Sequence, residues 1–104
     1  MPTVIRLAEI GTSFATRERA ESVVSGIADL MRRQNPKELV LDFSEVTVIS
    51  PSFASGFVGR FFDYLKSADS KPDSIEVVGY NPNVKVRLQR ALALYSSHAS
   101  KSHK

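Results

Sequence analysis

At 104 residues, 42% of them hydrophobic, the chain is one small domain with enough apolar mass for a core. It has no cysteine, which excludes a disulfide frame, a thiolate metal site and a thiol nucleophile. The net charge of +3 falls to +1 once Lys101 and Lys104 of the terminal stretch are set aside, too little for a nucleic-acid footprint.

Thr3 to Leu7 reads as a strand that continues toward Ile10 and is closed by Gly11. Thr12 to Ala15 is a connection. Thr16 then has the chemistry of an N-cap, with Glu18 in the first turn facing the positive end of the helix dipole. Ala20, Val23, Val24, Ile27, Leu30 and Met31 follow at helical spacing, and Asn35-Pro36 ends the helix. Such a helix is an ordinary core-covering element. Leu39 to Phe43 is apolar on both faces except at Asp42, as expected of a central strand in a mostly parallel sheet. A second apolar step (Val46, Val48, Ile49) leads to a helix that starts at Pro51, is capped by Ser50 and runs to about Ser67.

Lys71 to Asp73 is a turn, Ser74 to Tyr80 a third strand, and Asn81-Pro82-Asn83 a turn and cap. The third helix, with Val84, Leu88, Ala91, Leu92 and Tyr95 as its stripe, runs through Tyr95. Residues 96–104 have no periodicity and are expected to be a disordered tail to the single domain 1–95. Both histidines, His98 and His103, lie in that tail, which argues against an imidazole-based catalytic site. No apolar run is long enough to span a membrane and no leader pattern is visible, so a cytoplasmic location is expected.

The β-α-β-α-β-α order makes the fold class α/β, with a small, mixed or mostly parallel sheet and right-handed crossovers. Strand order is open. An order of 1-2-3 would put the helices mainly on one face and leave the other to a loop, the N-terminal segment or a second subunit. A homodimer is one outcome.

On a helical wheel, Phe53, Ala54, Phe57, Val58, Phe61, Phe62, Tyr64 and Leu65 form the core arc of the second helix. Ser52, Ser55, Gly56, Gly59 and Asp63 form a line of mostly small residues on the opposite arc. Each interior glycine costs a helix about 1 kcal/mol relative to alanine, which calls for a close approach. Either another part of this chain packs there, or a partner docks along the strip with Ser52 at its head. Ser52 sits in the first turn, where a phosphate would be tolerated and would change the surface. Equally, Ser50 and Ser52 are the residue type that satisfies first-turn N–H groups.

The run Leu41-Asp42-Phe43-Ser44-Glu45-Val46-Thr47-Val48-Ile49-Ser50-Pro51-Ser52, followed by an apolar helix, resembles the signature of STAS domains, the fold of anti-sigma factor antagonists. There, Asp-Leu-Ser-Gly-Val at a strand end leads to Ile-Asp-Ser-Ser-Gly-Leu at a helix start. The nearer resemblance is to the bacterial STAS-like family of unassigned function, through Thr16-Arg17-Glu18-Arg19-Ala20, Leu41 to Ser44, and Ser52-Phe53-Ala54 with Gly59. It spans about residues 3–95. It implies a four- or five-strand α/β fold, no catalysis by the domain, and partner switching in signal transduction; no cofactor or metal is expected. In that scheme a kinase of the anti-sigma, ATPase type phosphorylates the serine at the helix start, and the unphosphorylated form binds the kinase. Ser52 falls on the phosphorylated position. Ser50 stands where the signature has Asp, Pro51 where it has the first Ser, and Phe53 where it has Gly. Ser55-Gly56 stands where the STAS-like family usually has an acidic pair.

The expected partner surface is therefore Ser50, Ser52, Ser55, Gly56, Gly59 and Asp63, with Ser52 as the phosphorylation site. Two alternatives stand beside it. Asp42, at a strand end, is a receiver-like phosphoacceptor in one, although Glu9 is the only acid that could pair with it. The other is a weak nucleotide or anion site at the Ser50–Ser52 helix start. Lys85, Arg87 and Arg90 make the only basic cluster and read as a solvated helix face.

Overall fold

The computed structural model describes the backbone of residues 2–10 and 14–102, with side chains for 2–9 and 14–95. The expected closing role of Gly11, the connection at Thr12 and Ser13, and His103 and Lys104 lie outside the described residues.

Three strands form the sheet: β1 (Thr3–Arg6), β2 (Glu38–Asp42) and β3 (Ser74–Val78), in the order β1-β2-β3. Both pairings are parallel. β2 is central, as its near-continuous apolarity requires. Among the described residues there are three strands, fewer than the four or five implied by the STAS resemblance.

The register aligns Ile5 with Leu41 and Leu41 with Val77 on one face. On that face Ile5, Leu39 and Leu41 are buried. The other face carries Val4, Val40 and Glu76 in one row and Arg6, Asp42 and Val78 in the next, and none of these is buried. Val4 is 53% exposed. Helical crossovers of one hand on a 1-2-3 sheet put the helices on a single side, and the burial follows that rule.

The first strand stops at Arg6 instead of continuing toward Ile10, and Leu7–Ile10 makes a helical turn, α1. Leu7, Ala8 and Glu9 are strong helix formers without β-branching, while Val4 and Ile5 are strand formers. Leu7 still enters the core, at 0% exposure. Helix α2 spans Arg17–Gln34; the Thr16 side chain accepts from the Arg19 N–H at 3.1 Å, and Asn35 ends the helix at φ 49°. Helix α3 spans Pro51–Ser67 and helix α4 spans Pro82–Ser102.

Helix α4 therefore ends at Ser102 and not near Tyr95, so the backbone of the expected tail is helical that far. The apolar stripe ends at Tyr95, but no Pro or Gly follows before Ser102. A helix already nucleated gains a hydrogen bond for each residue added, so it propagates where the stripe has stopped.

The core lies between the covered sheet face and α2, α3 and α4. Phenylalanines on α3 organise it. Phe53 and Phe57 stack at 6.0 Å, Phe57 and Phe61 at 5.8 Å, and Phe43 meets Phe57 edge-on at 6.1 Å. All eight expected core-arc residues of α3 are buried or partly buried against this cluster.

Candidate functional site

The start of α3 is held by one serine. Ser50 is the N-cap, with extended backbone at φ −84° and ψ 162°. Its Oγ accepts from the Phe53 N–H at 3.0 Å and donates to the Ala15 carbonyl at 2.7 Å. The Ser50 N–H donates to the Phe14 carbonyl at 3.0 Å. Phe14 and Phe53 meet edge-on at 5.3 Å just beneath. The residues before α2 are thus tied to the residues before α3. Phe14 and Ala15 on one side and Ser50 and Phe53 on the other, far apart in the chain, form one joint.

Ser52 is one residue inside α3, beside that joint. It is exposed, and among the described residues no side-chain hydrogen bond holds it. Pro51 precedes it and contributes no N–H, as suits the first helical position. The Phe53 N–H is taken by Ser50, so the Ser52 N–H and the helix dipole are what an anion on Ser52 would meet.

The expected strip along α3 divides into parts. Ser55 is exposed like Ser52. Gly56 is buried: a Cβ there would lie 3.2 Å from both Ala20 Cβ and Arg17 Cγ. Here the close approach comes from this chain's own α2, so Gly56 leaves the list of accessible partner-binding residues. Gly59 is different, since a Cβ there would have nothing within 4 Å. Asp63 is exposed but engaged across the helix pair, accepting from the Tyr95 hydroxyl at 3.4 Å. Tyr95 also stacks on Phe62 at 5.4 Å, and Lys66 Nζ lies 5.0 Å from its ring centroid. The Tyr95 hydroxyl is the first cause that raises the Lys66 pKa above its ordinary value. The open part of the strip is therefore Ser52, Ser55 and Gly59.

Asp42 has an internal task. Its Oδ1 accepts from the Ser44 N–H at 2.9 Å, and Arg6 Nε lies 4.0 Å from Oδ2. The Ser44 hydroxyl first and the Ser44 N–H second hold its carboxyl below the usual aspartate range; burial opposes them, and Arg6 adds the smallest lowering effect. The turn it braces is tight. Glu45 has φ 73° and Gly79, passing alongside, has φ 74°. A Cβ on Gly79 would overlap Ser44 Oγ and sit 2.5 Å from Asp42 Oδ1 and 2.9 Å from Ser44 N. Glycine is needed there on both counts. The carboxylate thus lies at the carboxyl end of β2, where a phosphoacceptor would be, but both oxygens face groups of this chain.

The loops around Ser52 add apolar surface. Asn81 caps α4, accepting from the Val84 N–H at 2.9 Å, and its Nδ2 donates to the Thr47 carbonyl at 2.8 Å. That bond sets the loop at Gly79–Asn81 against the segment Val46–Ser50. Val48 and Tyr80, each next to a bonded residue, are 62% and 40% exposed. A shallow cavity of about 340 Å³ opens between the Glu45–Ser50 segment and the residues before α2, with Phe14, Ala15, Glu45, Val48 and Ser50 in its wall.

No family model matches the chain, and neither does any curated protein or solved structure. The site therefore stands on its geometry. Sequence reasoning found the cap, the proline and the exposed serine. It missed Phe14, Ala15 and Arg17 as parts of the same site, and the exposure of Val48 and Tyr80. The run Thr16 to Ala20 was the available signal, and its position beside α3 could not be read from it.

Proposed function

We propose that this chain is a non-enzymatic regulatory domain that docks a signalling protein through the start of α3, with phosphorylation of Ser52 as the switch. The observation that carries the reading is the division of labour between two serines two residues apart. Ser50 has its hydroxyl committed on both sides, to Phe53 N–H and to Ala15 O. Ser52 is exposed in the first turn of the helix and has no such engagement. The fold uses one hydroxyl and leaves the other to solvent.

Three features support the docking part. Gly59 keeps a helical glycine without a neighbour that needs it, which is the condition for close approach by something outside the chain. Val48 and Tyr80 give the surface exposed apolar contact area. Arg17 of α2, whose Cγ would lie 3.2 Å from a Cβ at Gly56, puts an exposed basic residue on the helix that adjoins α3 one turn beyond Ser52. The partner class suggested by the resemblance is a kinase of the anti-sigma, ATPase type. The Asp42 alternative has less to rest on, because that carboxylate braces the turn after β2.

The test is a comparison of proteins retained by the wild-type chain, Ser52→Ala and Ser52→Asp, with phosphosite mass spectrometry of Ser50, Ser52 and Ser55. A partner kept by Ser52→Ala and lost by Ser52→Asp is the expected pattern. Identical retention by all three, with no modification at Ser52, would remove the switch.

A further inference from the structure

A different surface, independent of the α3 start, lies at the outer edge of β3. Among the described residues β3 is paired only on its β2 side. The Ser74 N–H donates to the Lys37 carbonyl at 3.3 Å, and the Val78 carbonyl accepts from the Phe43 N–H at 2.9 Å. Residues along a strand alternate in the side to which they bond. The N–H and C=O groups of Ile75 and Val77 therefore point away from β2, toward the open edge. A row of this kind is a template for another strand.

Beside the edge is an apolar cleft of about 250 Å³. Phe57, Phe61 and Phe62 of α3, Leu88 and Leu92 of α4, and Val77 of β3 line it, and every residue in its wall is apolar. It exists because α4 leans on α3, through the Phe62–Tyr95 stack, and does not close over β3. Ile75 and Val77 are left half-buried, and Leu92 is 43% exposed. Apolar walls without facing atoms forgo the contacts that packing would supply.

We infer that the β3 edge accepts an extended segment of a partner protein as an added strand, with alternate apolar side chains of that segment entering the cleft. Main-chain bonds to Ile75 and Val77 give the affinity, and the cleft selects the inward residues. The other face of the added strand lies beside Glu76, which is exposed and selects lysine or arginine there. The occupant is thus an alternating apolar and basic segment. A second copy fits less well. Full antiparallel pairing of two β3 strands about a two-fold axis sets Ser74 against Val78 and Glu76 against its own counterpart, with like charges directly opposed.

The experiment uses the full chain, isotope-labelled for NMR, and a capped synthetic peptide of alternating valine and lysine. Shifts are expected at the Ile75 and Val77 amides and the Leu88 and Leu92 methyls. A valine and glutamate peptide should bind at least about fivefold more weakly, and Glu76→Lys, an exposed substitution, should reverse that preference. N-methylation along one edge of the peptide should abolish binding while methylation along the other leaves it. Absence of shifts at Ile75 and Val77 at millimolar peptide would overturn the proposal. So would binding that survives methylation on either edge, which is the behaviour of a simple apolar pocket. Sedimentation showing a dimer with β3 at the contact between copies would overturn it as well.

Discussion

Replacing Gly59 and Gly56 separately with alanine separates an internal packing requirement from its absence. Both are interior positions of α3, so each alanine gains about 0.8–1.0 kcal/mol of helix propensity. At Gly59 the new Cβ has nothing within 4 Å, and the gain is kept whole. For a domain of this size it corresponds to a rise in Tm of roughly 4–8 °C. At Gly56 the new Cβ sits 3.2 Å from Ala20 Cβ and from Arg17 Cγ, and 3.6 Å from Arg17 Cα. The arginine side chain can swing away. Ala20 Cβ is fixed to the α2 backbone, so the two helices must part by a few tenths of an ångström where they are otherwise close-packed. Strain of about 1–2 kcal/mol, at the lower end for overpacking, cancels or exceeds the helix gain. The expected order is Gly59→Ala above wild type, and Gly56→Ala at or below it, read by urea unfolding with an unchanged slope. Equal stabilisation by both would refute the close approach of α2 at Gly56. Destabilisation by Gly59→Ala would refute the open surface on which the docking reading rests. If Gly59→Ala is more stable yet holds its partner less well, the glycine serves binding and not folding.

The same logic applies to the serines. Ser50→Ala loses the cap and leaves the Ala15 carbonyl without its donor, so it should cost about 2 kcal/mol in chemical unfolding, whereas Ser52→Ala should stay within about 0.5 kcal/mol of wild type. Gly79→Ala forces alanine to φ 74° against Ser44 and Asp42, and calorimetry should find it destabilised by at least about 2 kcal/mol. Asp42 has a lowered pKa in the folded state, so its contribution is complete above the ordinary aspartate range and is lost as pH falls through the folded value. Asp42→Asn should therefore flatten the acid limb of the stability profile below about pH 4 and leave its shape at neutral pH unchanged.

Much of the fold was legible because its signals are local. Thr16, Ser50 and Asn81 each have a side-chain oxygen that accepts from an N–H three residues on, and each was readable as a cap from residue type and position. The core arc of α3 followed from spacing alone. The α1 turn was not legible, because a single turn is too short to show a period. Strand order needed the register of Leu41 against both Ile5 and Val77, which no local pattern encodes. The candidate site shows the same limit. Gly56 and Gly59 are alike on a helical wheel, and only the path of α2 over one of them tells them apart. Ser50 was readable as the cap, but its second bond, to the Ala15 carbonyl, was not, because Ala15 lies 35 residues away in the chain.

The Ser50 amide has a kinetic consequence. It lies outside the regular helices and strands, yet its N–H is bonded to the Phe14 carbonyl, across a gap of more than thirty residues. An amide in such a place exchanges with solvent only when the α2 and α3 starts separate. Its deuterium uptake is therefore a clock for the opening of that joint, one that reads differently from the helical amides on either side.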